Sequence, residues 1–150
     1  MHHYLGSGLP DVWLENGYHI KQHEEHGEIV SVEDVYGLHR AIGEAVARNA
    51  SPLSGAEFRF LRKELGMSQE SLARLIGKSS QAVALWEKNG RVPRLAELVL
   101  RGIYLEAVTG SAEIMKQIEA INAIDRKRFE RGGRLAMRFD EQWHDSDRAA

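Results

Sequence analysis

Apolar residues recur at helical spacing through most of the chain from residue 54 onward. Ser54 and Glu57 are spaced as a capping box, Leu53 and Phe58 occupy the staple positions around it, and Gly66 follows the last periodic residue. The same period predicts further helices over 69–76, 80–88, 94–108 and 112–130. The fold class predicted for the chain is therefore mainly α.

The first 50 residues have a mixed pattern. Asn16-Gly17 lies between two β-prone runs at 12–15 and 18–22. This dipeptide is typical of a two-residue hairpin turn, because both central positions of a type I′ turn need positive φ. The run 28–32 predicts a third strand after a polar stretch. The sequence thus predicts a small antiparallel sheet.

A helix is predicted to follow these strands. Ser31 and Asp34 are spaced as a capping box, and apolar residues continue at helical spacing to about Asn49. Together with the strands, this helix completes a small α+β module of hairpin plus helix, the N-terminal module, at residues 1–50. We expect it to serve as an arm for dimerisation or for binding another protein.

Breaker residues divide the chain further. The run 50–53, Ala-Ser-Pro-Leu, marks the boundary between the N-terminal module and an all-helical domain at 54–108. Residues 109–150 hold the last predicted helix. After it, Leu135, Met137 and Phe139 alternate with other residues as in a half-buried strand, a candidate to close onto the N-terminal sheet.

The predicted helix 94–108 is apolar on more than one side. Leu95, Leu98 and Val99 are expected to serve the core of the domain, which leaves a second stripe without a local neighbour. That stripe consists of Leu100, Ile103 and Tyr104. It is predicted either to contact the next helix or to form a dimer seam.

Composition excludes several classes of protein. None of the 150 residues is cysteine, which excludes disulfides, thiolate catalysis and cysteine-ligated zinc sites. No run approaches the ~18 consecutive apolar residues of a membrane span. The first residues lack the basic and apolar regions of a signal peptide. We expect a soluble, cytoplasmic protein without a membrane partner.

Charge is unevenly distributed along the chain. The net charge is −2, but residues 1–53 carry −5, residues 54–108 carry +3 and residues 109–150 are neutral. Salt screens charges over roughly 10 Å, so attraction to phosphate is local. A basic middle region beside an acidic one makes nucleic-acid binding a hypothesis worth testing.

The segment 67–87 combines the features of two short helices that cross at a sharp angle. Ser68 is placed to cap the first helix, and Gly77 lies where the turn needs positive φ. Val83 and Trp86 face inward from the second helix. Its other side carries small, uncharged residues, namely Ser79, Ser80, Gln81 and Ala84. This pattern predicts a helix-turn-helix, whose second helix lays its N-terminal residues along base edges in the major groove.

The residue types suit that chemistry. The Gln81 amide can donate to and accept from adenine at once, a pair that contributes ~1–3 kcal/mol of discrimination. Serine hydroxyls bind bases or phosphates, and a helix N-terminus favours an anionic oxygen. Several cations nearby would neutralise backbone phosphates and make binding dependent on salt. They are Arg62, Lys78, Lys88, Arg91 and Arg94.

The spacing of residues 54–108 resembles the Cro/repressor (XRE-type) helix-turn-helix family. The residues that carry the resemblance are Gln69, Ala73, Gly77, Val83, Trp86 and Glu87. The family implies a five-helix, all-α domain that binds a two-fold operator in double-stranded DNA as a homodimer. No cofactor is expected.

The resemblance also implies roles for individual residues. Arg62 and Glu87 would form a structural ion pair, and Gln69 would bind a phosphate. Ser79, Ser80 and Gln81 would contact bases, and the loop from Asn89 to Arg91 would contact the DNA backbone. Leu85 departs from the family pattern, which often has a polar residue there. It is placed either to meet a thymine methyl group or to contact nothing.

A narrower resemblance lies in residues 57–69, which are similar to antitoxin regulators of the MqsA and HigA type. In such regulators this domain represses its own operon and another region binds a toxin. MqsA-type members carry a cysteine-ligated zinc module before the domain, whereas this chain has no cysteine. A zinc role therefore does not carry over. The resemblance implies that the acidic residues 1–53 are available to a basic toxin.

Two further clusters are open to two interpretations each. His19, His23 and His26 are the only candidate metal ligands, and a solvent-facing hairpin tip explains them equally well. The basic residues between Arg126 and Arg134 are either a solvated helix end or an additional DNA contact.

The predicted function is that of a sequence-specific transcriptional repressor, which serves as the antitoxin of a toxin–antitoxin operon. No serine or histidine lies in a catalytic pattern, so enzymatic activity is not expected. The alternatives are a phage-like or ligand-sensing repressor unrelated to a toxin, and a protein-interaction adaptor that no longer binds DNA. A third alternative is a histidine-dependent nuclease.

Overall fold

The computed structural model describes residues 1–110, 116, 119, 120, 123, 137–140 and 142–145. Residues 1–114 form one compact unit and residues 115–150 form a second. The described part of the first unit has four short strands followed by five helices, which confirms the mainly α class. They are β1 (His2–His3), β2 (Trp13–Leu14), β3 (Tyr18–His23), β4 (Gly27–Val32), α1 (Val35–Arg48), α2 (Gly55–Glu64), α3 (Gln69–Ile76), α4 (Ser80–Asn89) and α5 (Arg94–Thr109).

The four strands form two separate antiparallel pairs, β1 with β2 and β3 with β4. The prediction of a hairpin at Asn16-Gly17 is wrong. The strand before this dipeptide, β2, pairs with β1, and the strand after it, β3, pairs with β4. The predicted third strand is present as β4. The tight turn lies instead at residues 24–26 and is followed by Gly27, whose φ of +69° favours glycine.

Helix α1 begins later than predicted. Its N-cap is Asp34, whose carboxylate accepts a hydrogen bond from the N–H of Gly37 at 3.1 Å. The prediction that Ser31 caps this helix is wrong, because Ser31 lies in β4 opposite His19 and the sheet holds its backbone extended. The strand therefore continues through the residues whose spacing resembled a capping box.

Helix α2 begins where predicted, and its capping box is complete. Ser54 Oγ accepts from the N–H of Glu57 at 3.1 Å, and Glu57 Oε1 accepts from the N–H of Ser54 at 2.9 Å. Gly55, the first residue of the helix, lies against the end of α4. A Cβ at Gly55 would collide with the carbonyl oxygen of Glu87. The close contact between α2 and α4 therefore depends on glycine.

Helix α5 is covered along its second apolar stripe. Leu100, Ile103 and Tyr104 are buried, and α5 packs against α1 and α2. Tyr104 packs so closely on α1 that a Cβ at Gly43 would collide with its hydroxyl. The expectation that this stripe waits for the next helix or a second copy of the chain is wrong, because α1 fills that role.

The other stripe of α5 is also different from the prediction. Leu95 and Leu98, which were expected in the core, are 77% and 46% exposed, and Val99 is half-buried. The two stripes thus exchange roles, because α1 packs on one side of α5 and leaves the other side open in the first unit.

Two buried charges join α5 to the end of α1. Arg101 donates to Glu97 Oε1 at 2.7 Å, and only 2% of the Glu97 side chain is exposed. The same guanidinium donates to carbonyl oxygens in the last turn of α1 and in the connection to α2, namely those of Val46, Ala47, Asn49 and Ser51. The Val46 carbonyl also accepts from the N–H of Asn49 at 3.3 Å, so Arg101 adds to the C-terminal cap of α1 and holds the connection that follows it.

The core is continuous across the predicted boundary at 50–53. Leu9 and Val46 belong to the same cluster of buried apolar residues as Phe58, Leu72 and Leu100. Residues 54–110 contain four helices, and α1 is the fifth described helix. The division of residues 1–50 and 54–108 into two domains, with a third segment at 109–150, stays a prediction.

In the second unit, two described strands form an antiparallel pair, β5 (Met137–Asp140) with β6 (Gln142–Asp145). The alternating pattern at 135–139 predicted a strand in this region, and its partner is β6. Of the predicted helix 112–130, only 116, 119, 120 and 123 are described, and all four are helical. The basic residues 126–134 lie outside the described residues.

A search of the described helices finds none that is long and apolar enough to cross a membrane.

Candidate nucleic-acid interface

A tight turn joins α3 to α4. Ser68 Oγ accepts from the N–H of Ser71 at 2.9 Å and so caps α3. Gly77 ends α3 with φ of +70°, a conformation that glycine adopts without steric cost. The N–H of Lys78 then donates to the carbonyl of Ala73 at 2.8 Å. These hydrogen bonds fix the chain direction between the two helices.

The inner face of α4 is locked into the core. Val83 is fully buried, as is Leu72 of α3, and the small Ala73 is nearly so. The ring of Trp86 meets that of Phe58 edge-on, with centroids 6.1 Å apart and planes at 86°. Edge-to-face contacts of this kind are favourable for aromatic pairs. The inner side of α4 is thus held by α2 and α3.

The outer face of α4 (Ser80, Gln81, Ala84 and Leu85) stays accessible. Gln81 and Leu85 are exposed, Leu85 to 54%, while Ser80 and Ala84 are half-buried. Ser80 Oγ donates a long hydrogen bond of 3.4 Å to Gln81 Oε1. The amide nitrogen of Gln81 has no hydrogen-bond partner in the described part of the chain, so its donors are available to a ligand.

Ser79 and Gln69, both expected at DNA, have partners inside the protein. Ser79 Oγ accepts from the N–H of Ala82 at 3.1 Å and caps α4. Its hydroxyl proton remains able to donate. Gln69 Nε2 donates to Glu87 Oε1 at 3.2 Å, so its second N–H and its amide oxygen remain unused.

Arg62 and Glu87 form a two-pronged ion pair between α2 and α4. Arg62 Nε donates to Glu87 Oε2 and Nη2 donates to Oε1, both at 2.8 Å. Arg62 also donates to the carbonyl of Met67 at 2.7 Å. Both charged side chains are buried, and breaking such a pair from one side leaves an uncompensated charge. This contact fixes the C-terminal end of α4.

Free cations stand at both ends of α4. Lys78 precedes the helix, and Lys88 and Arg91 lie at its C-terminal end beside Asn89; all four side chains are exposed. None of the three cations has an ion-pair partner within residues 1–110. Arg94, by contrast, donates to Glu97 Oε1 at 3.1 Å. The surface around α4 is therefore locally positive.

The three histidines of the β3–β4 pair do not converge. His19 lies within hydrogen-bonding distance of Glu33 Oε1 at 2.8 Å. The rings of His23 and His26 stack at the turn, with centroids 4.9 Å apart. Among the described residues, no three histidine, aspartate or glutamate side chains are arranged to hold a metal ion.

A series of hydrogen-bonded side chains near the start of the protein was not predicted from the sequence. Tyr4 Oη lies 2.7 Å from His39 Nε2, and His39 Nδ1 lies 3.0 Å from Glu64 Oε1. Burial, with a smaller contribution from the Glu64 carboxylate, raises the pKa of Tyr4 above its usual value. These residues are far apart in the sequence and form no motif, so only the fold brings them together.

Comparison with known families agrees with this geometry. Residues 58–100 match a family model described as Helix-turn-helix. The match runs from α2 into α5 and includes all of α3 and α4. The searches of curated proteins and of solved structures gave no significant match. The match supports the XRE-type helix-turn-helix family for residues 58–100 of this chain.

Proposed function

We propose that this protein is a sequence-specific DNA-binding repressor that inserts α4 into the major groove. The observation that carries the proposal is the contrast between the two sides of α4. Its inner side is fixed by Val83, Trp86 and the Arg62–Glu87 ion pair, while its outer face is accessible. A rigid helix with a free polar side is what groove recognition requires. This role places the protein with DNA, in the cytoplasm or nucleoid.

Each residue around α4 has a role in the proposed complex. Gln81 binds an adenine edge through its amide, Ser80 donates to a base, and Ala84 and Leu85 contact thymine methyl groups. Backbone phosphates are bound by a second set of residues, which position the helix without reading sequence. That set is Gln69, Lys78, Lys88, Asn89 and Arg91; Ser79, whose Oγ caps α4, keeps a hydroxyl proton that can be donated to a base.

The protein acts as a homodimer in this proposal. One α4 helix contacts few base pairs, so a single copy discriminates weakly between sequences. Two copies related by a two-fold axis read two half-sites one helical turn apart, about 34 Å along the duplex. Sedimentation of the protein with and without operator DNA measures this stoichiometry. A strictly 1:1 complex with a non-palindromic site would contradict it.

Substitution of Gln81 tests the DNA-binding role. The variant Gln81→Ala should bind the DNA upstream of the gene more weakly, by about 5- to 150-fold for each half-site, because each copy of the dimer loses one amide–base pair. Its thermal unfolding should be unchanged, since Gln81 is exposed. The matched control is Gln22→Ala, which removes an exposed glutamine from β3. Both variants are measured by gel shift at fixed salt.

The competing function, a protein-interaction adaptor, predicts a different result. An adaptor would bind upstream and unrelated DNA equally weakly, and Gln81→Ala and Gln22→Ala would behave alike. That outcome, with both variants folded, would end the repressor proposal.

The more specific form of the proposal is that the repressor is an antitoxin that controls its own operon. Two observations favour it: the net charge of −5 on residues 1–53, and the resemblance of residues 57–69 to antitoxin regulators. Charge complementarity would steer a basic toxin to this region. Co-expression with the adjacent gene tests this idea. A neighbouring product that neither arrests growth nor co-purifies with the chain would contradict it.

A further inference from the structure

A cavity of about 490 Å³ lies on the side of α2 that faces the N-terminal loop. Residues 5–8 form one wall, and Ala56, Arg59, Phe60 and Lys63 of α2 form the opposite wall. None of the residues to which we assign a DNA contact lines this cavity. Its volume lies within the ~300–1,000 Å³ that small-molecule sites occupy.

The charges along the cavity are unbalanced in favour of cations. Arg59 and Lys63 are four residues apart and therefore share one face of α2. Both are exposed, and neither has an ion-pair partner in residues 1–110. The two acidic residues of the lining are already engaged, Glu64 by His39 and Glu87 by Arg62. The lining thus carries two cations without an ion-pair partner, and Glu64 is its one carboxylate that no arginine or lysine neutralises.

Part of the lining is suited to an apolar group. Ala56 and Phe60 lie on α2 one turn apart, and Phe60 belongs to the buried core. An aromatic or aliphatic body can rest on this floor while an attached anion reaches the two cations. Both features together are what an organic anion needs, because apolar contact supplies affinity and the charges fix orientation.

The wall opposite α2 is held in place before any ligand arrives. The N–H of Tyr4 donates to the carbonyl of Val12 at 2.8 Å, and the Tyr4 hydroxyl lies 2.7 Å from His39 Nε2. A Cβ at Gly6 would lie only 2.6 Å from the same hydroxyl, so a larger residue would force the Tyr4 ring out of this position. A preformed wall lowers the ordering cost of binding.

We propose that this cavity binds a small organic anion. Arg59 and Lys63 hold its carboxylate or phosphate group, and Ala56 and Phe60 contact its apolar body. The site is independent of the DNA-binding role, because it lies behind α2 rather than on the outer face of α4.

Thermal unfolding and calorimetric titration of the full chain test the proposal with three probes of similar size. Benzoate and phenyl phosphate represent the two head groups, and benzyl alcohol is the neutral analogue. At least one anion should bind with a millimolar or tighter dissociation constant and raise the melting temperature, because a ligand that binds only the folded state stabilises it. Benzyl alcohol should bind more than about tenfold more weakly.

Substitution locates the site. The double variant Arg59→Ala/Lys63→Ala should weaken binding of the anion by more than about tenfold while its melting temperature without ligand stays unchanged. The control, Lys21→Ala/Arg48→Ala, removes the same charge from two exposed positions outside the cavity and should bind like the wild type. No DNA is present in these measurements, so their outcome is separate from that of the gel-shift test.

Three outcomes would overturn the proposal. They are the absence of binding by both anions at about 10 mM, equal binding of benzyl alcohol, and equal loss of binding in the two double variants.

Discussion

Helices α4 and α5 follow one another in the chain but are built for opposite purposes. In α4 only Val83 is fully buried, and polar and apolar residues alike are left on an accessible outer face. In α5 even charged residues turn inward: Arg101 donates to Glu97 and to the carbonyl groups at the end of α1. Under the proposed function, α4 keeps donors unpaired for DNA, whereas α5 uses its charged groups to hold the fold. The following changes test that division.

The largest effect is expected for Arg101→Met. Loss of the guanidinium removes its bonds to four backbone carbonyls and leaves Glu97 buried with only the exposed Arg94 as partner. Unfolding in urea should show a loss of about 3–5 kcal/mol. The control Arg94→Met removes the other cation from Glu97 and should cost less than about 1 kcal/mol, because Arg94 is exposed. Equal losses would show that α5 does not hold α1 through Arg101.

Two matched glycine substitutions distinguish the packing role of α5 from the DNA-binding role proposed for α4. Gly43→Ala forces a methyl group against Tyr104 of α5, and Gly55→Ala forces one against the carbonyl of Glu87 in α4. Each should cost about 1–3 kcal/mol of stability by overpacking. Only Gly55→Ala should also weaken operator binding at a temperature where both variants are folded, because it displaces α4. Equal DNA affinities of the two would contradict the proposed role of α4.

A smaller effect is expected for Lys88→Ala. The variant should lower the slope of log affinity against log salt by about two, since each copy of the proposed dimer loses one phosphate contact and each contact releases about one counterion. Gel shifts over a salt series measure this slope. Stability should not change, because Lys88 is exposed and unpaired within residues 1–110. Lys21→Ala in β3 is the control and should leave the slope unaltered.

The smallest effect concerns alkaline pH. Burial, with smaller contributions from Glu64 and Glu44, raises the pKa of Tyr104 above 10.0. The unfolded chain therefore releases this proton at a lower pH than the folded chain, and stability should fall as the pH rises above about 10. Tyr104→Phe should make this fall less steep, while Tyr36→Phe, at a side chain 92% exposed, should not. Denaturation at several alkaline pH values measures the difference.

The structural features that were predicted correctly from the sequence are those that depend only on residues close together in the chain. The capping box of Ser54 and Glu57 and the turn at Gly77 need only a few adjacent residues, and both are present. Asn16-Gly17 failed as a hairpin signal because strand pairing depends on partners elsewhere in the chain. The burial of α5 was predicted on the wrong stripe for the same reason, since α1, about 55 residues earlier, decides which side is covered.

The candidate site divides in a similar way. The polar residues on the outer side of α4 were predicted from local residue types and spacing, whereas Ser79, which was predicted to contact bases, caps the helix. The bond of Gln69 to Glu87 and the chain of Tyr4, His39 and Glu64 could not be predicted, because they join segments that are distant in the sequence. The burial of Arg101 could not be predicted either, because arginine on an amphipathic helix is usually exposed.

The hydrogen bonds from Arg101 to the end of α1 determine where this protein can be truncated. A fragment that starts at residue 54 would retain every residue of the family match, yet it would lose the carbonyl groups that Arg101 binds and uncover Tyr104. The segment that matches the helix-turn-helix family is therefore not expected to fold without α1. We expect grafts and truncations to succeed only when they carry α1 along.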